Sequence, residues 1–172
     1  MVDEPGTSEG DLRNPHLNPI GLGGGRVHAK RQTYAAQGDN ASVAPLMPGS
    51  RQLEYGHGSF FYRDVYFGMA YFVGQETVYR EDRPYWSMSY GGGVASPMTV
   101  KDEIRRIYAF LRSALREVSV EHPFRGPSYF RDADFEYRNT FEGEFDAFHG
   151  TEVIRQQGLA VYTLHYCGGI VR

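Results

Sequence analysis

A repeated motif constrains the fold of this chain more than any other feature. The stretch FFYRDVYFG, which begins at Phe60, returns as FEYRNTFEG, which begins at Phe135. Residues of these two motifs lie 75 positions apart, and later matches such as Trp86 with Tyr162 lie 76 apart, because one residue is inserted between them. A nearly constant offset over three strand-like segments predicts a single β unit that is used twice.

The residue patterns within each copy predict three strands, with a helix between the copies. The predicted strands cover residues 60–67, 71–80 and 85–90, and then 134–141, 145–155 and 159–166. An apolar stripe at helical spacing predicts a helix over residues 99–118, and a shorter helix is expected over residues 27–36. The sequence thus predicts an α+β fold, internally duplicated as (α)βββ–α–βββ, with a curved antiparallel sheet and one long helix packed on a face.

The chain length of 172 residues suits one domain with a tail. Residues 1–25 are polar and rich in glycine and proline, which is typical of a flexible N-terminal tail. Residues 26–172 are then expected to form a single duplicated domain. Its parts are repeat one at about residues 54–93, the linking helix at 99–118 and repeat two at about 129–169.

Composition argues against several classes of partner. A formal net charge of -3 does not suit a protein dedicated to nucleic acid, and no apolar run approaches the roughly 20 residues of a membrane span. The single cysteine, Cys167, excludes an intrachain disulfide and fits a cytoplasmic location. Neither metal-ligand spacing nor a phosphate-loop motif is visible, so we expect no metal and no cofactor.

Strand alternation places an acidic residue among large apolar neighbours in each copy. Glu76 follows Gly74 by two positions, and Glu152 follows Gly150 in the same way. Each glycine leaves space beside the carboxylate for a ligand group, a water molecule or another side chain. Because an unpaired buried carboxylate costs several kcal/mol, each glutamate must pair, take up a proton or meet water.

We therefore predict an aromatic-lined cleft where the two copies meet, with the two glutamates on its floor. The candidate ligand-binding residues are Tyr62, Asp64, Tyr66, Glu76, Trp86, Tyr90, Tyr137, Asn139, Glu152, Tyr162 and Tyr166. Aromatic walls around a buried carboxylate suit a small polar or cationic organic ligand. The pattern favours a soluble module that binds a ligand or a partner.

Three other interpretations remain open at this point. In a purely structural one, Glu76 pairs with Arg63 and Glu152 with Arg138, although alternation directs these arginines to the opposite face unless a bulge intervenes. In an enzymatic one, Asp64 and Glu76 act as acid and base in a hydrolase or lyase. In the third, apolar residues on the second face of the first unit mediate a homodimer.

Several segments resemble an uncharacterised domain family of prokaryotes. They are AKRQTYA, PGSRQLEY, FYRDVYFG, FVGQETVY, WSMSYGGG, GPSYF, EYRNTFEG and YTLHYCGGIVR, and they span roughly residues 29–172. Some members of that family carry an Xre-type helix-turn-helix domain and are described as transcriptional regulators. The resemblance implies a sensor-like or partner-binding module. It does not imply DNA binding here, because no helix-turn-helix is visible in this sequence.

Overall fold

The computed structural model describes residues 42–95, 100–119 and 124–172. Within these ranges the chain forms nine strands and one helix. They are β1 (Ser42–Val43), β2 (Arg51–His57), β3 (Phe60–Gly68), β4 (Tyr71–Arg80), β5 (Arg83–Val94), α1 (Lys101–Arg116), β6 (Tyr129–Asp132), β7 (Phe135–Glu144), β8 (Ala147–Gln156) and β9 (Leu159–Ile170).

The nine strands of the described ranges join one antiparallel sheet, in the order β1-β2-β3-β4-β5-β9-β8-β7-β6. Consecutive strands pair as hairpins within each half of the sheet. Burial follows the alternation of side chains along a strand, so Tyr62, Asp64 and Tyr66 of β3 are buried while the residues between them are more exposed. One face of the sheet therefore carries the core.

The two halves of the sheet meet at the β5–β9 pair. Tyr90 lies directly opposite Tyr166, its own counterpart in the second copy, and the pairing continues to Val94 opposite Tyr162. When a strand pairs antiparallel with its own copy, the two are related by an approximate two-fold axis, as in a symmetric dimer interface. Here that axis passes between Tyr90 and Tyr166, within one chain.

Strand registers match between the halves. Asp64 pairs with Glu76 across β3 and β4, and Asn139 pairs with Glu152 across β7 and β8. The β4–β5 and β8–β9 pairs each contain one register shift, at matching positions. Matched side chains of the two copies therefore lie on the same face of the sheet.

Helix α1 contributes its apolar residues to the same core as the sheet. Its buried residues are Ile107, Phe110, Leu111, Ala114 and Leu115. The ring of Phe110 lies 5.1 Å from that of Phe135 and 5.5 Å from that of Phe130. Large apolar side chains buried in this way each stabilise the fold by about 1.5–3 kcal/mol. No helix in the described ranges is long and apolar enough to cross a membrane.

The predicted α+β fold is wrong, because the described residues are mostly β. One helix of 16 residues accompanies nine strands, and β1, β2 and β6 were not among the predicted strands. Adjacent Gln52 and Leu53 of β2 are both buried, and β6 has only four residues, so neither strand shows a clear two-residue period. The predicted helix at residues 27–36 and the predicted tail at 1–25 lie outside the described residues.

Two glycines at hairpin ends, Gly143 in β7 and Gly158 between β8 and β9, both have a positive φ. Gly143 has φ of 92°, and a Cβ there would overlap the carbonyl oxygen of Ala147. Gly158 has φ of 83° but open space around it. We expect Gly158→Ala to lower the free energy of unfolding by about 1–2 kcal/mol, from backbone strain alone. Gly143→Ala should cost about 3 kcal/mol or more, since overlap adds to strain. Urea denaturation followed by circular dichroism measures both, and equal losses would contradict the overlap.

Candidate functional site

Two glutamates and one arginine form the buried polar centre of the protein. Glu76 on β4 is 1% exposed, Glu152 on β8 is 0% exposed and Arg125 is 5% exposed. Arg125 precedes β6, and its Nη2 lies 2.7 Å from Oε1 of Glu152 while its Nη1 lies 3.8 Å from Oε1 of Glu76. One guanidinium therefore joins the matched carboxylates of the two halves. Such charges are tolerated away from water only when they are paired.

Glu152 accepts three hydrogen bonds from its own chain. Arg125 and the hydroxyl of Tyr162 donate to its Oε1, at 2.7 Å and 2.8 Å, and the hydroxyl of Tyr137 donates to its Oε2 at 2.8 Å. Hydrogen bonds to an ionised group are stronger than those between neutral groups. Three of them offset much of the cost of burying this carboxylate.

The first half has Trp86 where the second half has Tyr162. The indole Nε1 of Trp86 donates to the carbonyl oxygen of Phe145 at 3.1 Å, and the ring stacks on Phe148 at 5.5 Å. The matched glutamates therefore have different neighbours at this position.

Opposing effects set the pKa values of this centre. Burial raises the pKa of Glu152, but the charge of Arg125 and the hydrogen bonds from Arg125, Tyr162 and Tyr137 outweigh it, so the pKa lies below its ordinary value. Burial also lowers the pKa of Arg125, but the charge of Glu152, its hydrogen bond and the nearby Tyr162 and Glu76 together outweigh this effect and raise the pKa above its usual value. Both groups are therefore charged at neutral pH.

A tyrosine holds the second polar residue of each half. The hydroxyl of Tyr90 donates to Oδ1 of Asp64 at 2.6 Å, and that of Tyr166 donates to Oδ1 of Asn139 at 2.8 Å. A Cβ at Gly74 would lie 2.5 Å from the hydroxyl oxygen of Tyr90. The space that this glycine leaves beside Glu76 is thus filled by a tyrosine ring, and the matching glycine does the same in the second half.

A cavity of about 230 Å³ lies beside the carboxylates of the first half. Asp64 and Glu76 border it, and Ile104, Tyr108 and Arg112 of α1 line it from the helix. Its aromatic wall consists of Tyr62, Tyr66, Phe72 and Tyr90. Four arginines also line it, namely Arg51, Arg105, Arg112 and Arg125, so basic groups outnumber the two carboxylates.

Comparison with known proteins identifies the family of this chain. Residues 64–171 match the family model described as Domain of unknown function (DUF5680). The chain belongs to the DUF5680 family. This match confirms the resemblance to a domain of unknown function, and no curated protein and no solved structure matches the chain. The DUF5680 region begins at Asp64 on the cavity wall and includes both glutamates and Arg125.

All eleven predicted ligand-binding residues are buried. Those that border the cavity are Tyr62, Asp64, Tyr66, Glu76 and Tyr90. Those that do not border it are Trp86, Tyr137, Asn139, Glu152, Tyr162 and Tyr166. Within the DUF5680 region, the matched glutamates thus lie in different surroundings. Glu152 accepts hydrogen bonds from its own chain, and Glu76 borders the cavity.

The arginines of the first strand in each copy pair with other partners. Nε of Arg63 lies 2.8 Å from Oε1 of Glu54, and Nε of Arg138 lies 2.8 Å from Oε1 of Glu136. Both pairs form on the face opposite to the buried glutamates, as strand alternation indicates. Neither arginine is the partner of a buried glutamate.

Sequence reasoning missed the residue that does pair with them. Arg125 lies in the segment FRGP, where glycine and proline indicate a loop. Arginine is seldom fully buried, so an inward orientation is not the expectation for such a residue. The helix residues Tyr108 and Arg112 were missed as well, because the sequence does not show which strands the helix meets. Only the position of FRGP directly before the second copy could have drawn attention to it.

We predict that Glu152→Gln lowers the free energy of unfolding by about 3–5 kcal/mol at neutral pH, because it breaks a buried ion pair. The folded pKa of Glu152 is lowered, so its contribution is present above the unfolded pKa of about 4.3 and is lost as the pH falls through the folded value. The difference between wild type and variant should therefore shrink below about pH 4.

Urea denaturation as a function of pH measures this difference. Glu136→Gln is the matched control, since Glu136 also pairs with an arginine but on the outer face of the sheet. Exposed ion pairs contribute little, so this control should change stability only slightly. A difference between wild type and Glu152→Gln that stays constant down to acidic pH would contradict the prediction.

Proposed function

We propose that the chain is a binding module for a small organic ligand, which it holds in the cavity beside Asp64 and Glu76. One observation carries the proposal: a cavity of about 230 Å³ lies beside Asp64 and Glu76 and is walled by aromatic rings. A concave site with aromatic walls and a few polar groups is typical of ligand binding.

The cavity wall suits a small polar ligand, because both carboxylates and arginines border it beside the aromatic rings. A carboxylate oxygen accepts more than one hydrogen bond, so Asp64 can accept one from a ligand in addition to that from Tyr90. Tyrosine rings also attract cations through their faces. The guanidinium carbon of Arg125 lies 5.4 Å from the ring centre of Tyr90, so one of these rings already contacts a cation.

A biological setting is part of the same proposal. The resemblance to domains that are fused to an Xre-type helix-turn-helix suggests a module whose bound ligand controls a transcriptional regulator. A reducing cytoplasm suits the exposed thiol of Cys167. Direct contact with DNA is not part of the proposal.

Thermal unfolding with a panel of cationic, neutral and anionic metabolites tests the binding function. A ligand at about 100 times its Kd stabilises the folded state by about 2.7 kcal/mol, which raises Tm by about 5–10 °C in a chain of this size. We expect at least one class of compound to produce such a shift. Ile104→Trp should abolish it, because the larger side chain fills the cavity from α1.

The matched control is Ala109→Trp, on an exposed position of the same helix, which should keep the shift. Two results would overturn the proposal. One is the absence of a shift with every class of compound. The other is a shift that persists in Ile104→Trp.

A hydrolase or lyase is the second candidate, and the β3–β4 register favours it. Asp64 and Glu76 are directly paired across these strands, so their Cβ atoms lie about 5 Å apart on one face. Two neighbouring carboxyl groups can divide the roles of acid and base, because the charge of one raises the pKa of the other. An enzyme would convert a compound identified by thermal unfolding, and mass spectrometry would detect the product. Product that forms equally well with Glu76→Gln would exclude this role.

A further inference from the structure

The second half of the sheet holds a piece of its own chain at the place that corresponds to the cavity. The ring of Phe124 stacks on Phe148 at 3.8 Å and meets Phe141 edge-on at 5.1 Å. Nδ2 of Asn139 donates to the carbonyl oxygens of Phe124 and Gly126, at 2.9 Å and 3.1 Å. This segment is therefore held through an aromatic ring and through its backbone.

The residues that hold this segment have counterparts around the cavity, because the strand registers of the two halves match. Tyr137, Asn139, Phe141, Phe148 and Glu152 correspond to Tyr62, Asp64, Tyr66, Phe72 and Glu76. All five counterparts border the cavity. The cavity is thus the first-half equivalent of the space that residues 124–126 fill in the second half.

The counterpart of residues 124–126 takes a different course in the first half. At an offset of 75 positions these residues match 49–51, and Arg51 already belongs to β2. In the second half, β6 begins only at Tyr129, which matches Glu54, so β2 begins earlier in its repeat. The residues that cover the second site are thus replaced by strand in the first half, and an occupant of the cavity comes from elsewhere.

The N-terminal part of the chain enters the sheet close to the cavity. Ser42 of β1 lies opposite Leu53 of β2, which lies opposite Asp64 of β3. Neighbouring strands are about 4.8 Å apart, so the backbone at Ser42 is roughly 10 Å from that at Asp64. Tyr34 precedes Ser42 by eight positions, and eight residues span up to about 27 Å when extended. Tyr34 is therefore within reach of the cavity.

Tyr34 also has the chemistry that the matched site takes. It is the sole phenylalanine, tyrosine or tryptophan in residues 1–41, and residues 96–99 and 120–123 contain none. Every other residue of these three types lies in the ranges that the structure describes. A phenol is neutral, and its hydroxyl can donate to a carboxylate or accept from a guanidinium, so it suits a cavity that both kinds of group border.

The first half has one tyrosine hydroxyl fewer than the second at the matched glutamates. Tyr162 donates to Glu152 at 2.8 Å, whereas Trp86 at the matched position donates to the carbonyl oxygen of Phe145. A tyrosine that enters the cavity brings a hydroxyl to the half in which the repeat has replaced it by an indole.

We propose that Tyr34 docks in the cavity, with its ring against Tyr66 and Phe72, as the ring of Phe124 lies at the matched site. The N-terminal segment then competes with the small ligand for the same space. The apparent affinity for that ligand is reduced to the extent that the segment is docked. This competition rests on the proposed function, whereas the docking itself does not.

Limited digestion of the full chain with trypsin, followed by mass spectrometry, tests the docking. Trypsin cleaves after Arg31, which lies three residues before Tyr34, and after Arg13, which lies much earlier in the chain. We expect cleavage after Arg31 to be at least about tenfold slower than after Arg13, because cleavage follows the population of the released segment.

Two variants release the segment in different ways. Tyr34→Ala removes the ring, and Ile104→Trp fills the cavity from α1. Each should speed cleavage after Arg31 at least about tenfold and leave cleavage after Arg13 unchanged. The first variant alters no residue of the core, so its result stands even where the second affects folding.

Matched controls accompany both variants. Tyr34→Phe keeps the ring, and Ala109→Trp places the same indole on an exposed position of α1, so both should keep Arg31 protected. Cleavage after Arg63, within β3, should stay slow throughout and reports that the sheet remains folded.

Different failures identify different errors. Equal rates after Arg31 and Arg13 in the unaltered chain overturn the docking, and so does protection that survives Tyr34→Ala or Ile104→Trp. Protection that is lost on dilution assigns the docked segment to a second copy of the chain and overturns docking within one chain.

Compounds that raise Tm test the competition separately. A compound whose shift Ile104→Trp abolishes should speed cleavage after Arg31. If it does not, the competition is overturned and the binding function stands. If no compound binds while Tyr34→Ala still exposes Arg31, the proposed function is overturned and the docking stands.

Discussion

One guanidinium between two buried carboxylates determines how the rest of the protein is arranged. Arg125 donates to Glu152 at 2.7 Å and approaches Glu76 within 3.8 Å. Each charge would cost several kcal/mol without a partner, so the three depend on one another and on the tyrosines around them. Because Arg125 belongs to the segment that leads into β6, its contacts with the two glutamates hold this segment against both halves of the sheet. Phe124 is thereby brought into the core of the second half.

The two copies differ at two positions beside their matched glutamates. Tyr162 donates to Glu152, whereas Trp86 at the matched position donates to a carbonyl oxygen of the other half. Asn139 donates to the main chain of residues 124–126, whereas Asp64 at the matched position accepts a hydrogen bond from Tyr90. The second copy thus stabilises the fold, whereas the first copy borders a cavity. The proposed binding function depends on this difference between the copies.

Local patterns predicted the repeated strands well and the overall composition of the fold poorly. Alternation in the two long motifs placed Glu76 and Glu152 on the inner face, and both are buried. It also placed Arg63 on the outer face, where it pairs with Glu54. The predicted fold class was wrong in part because β2 and β6 lack a clear alternation, so only three strands in each half were recognised. The helix residues around the cavity were missed because amphipathicity shows which side is buried but not what it meets.

The sequence by itself determined the repeat, the periodicity of the strands and hence which side chains share a face. These follow from local geometry, since successive side chains of a strand point to opposite sides whatever the chain does elsewhere. Only the tertiary structure decided that Arg125 meets both glutamates and that Phe124 fills one of two matched sites. Those contacts depend on where a loop rich in glycine and proline returns to the sheet, and the residue order of a loop does not specify the distant group it will meet.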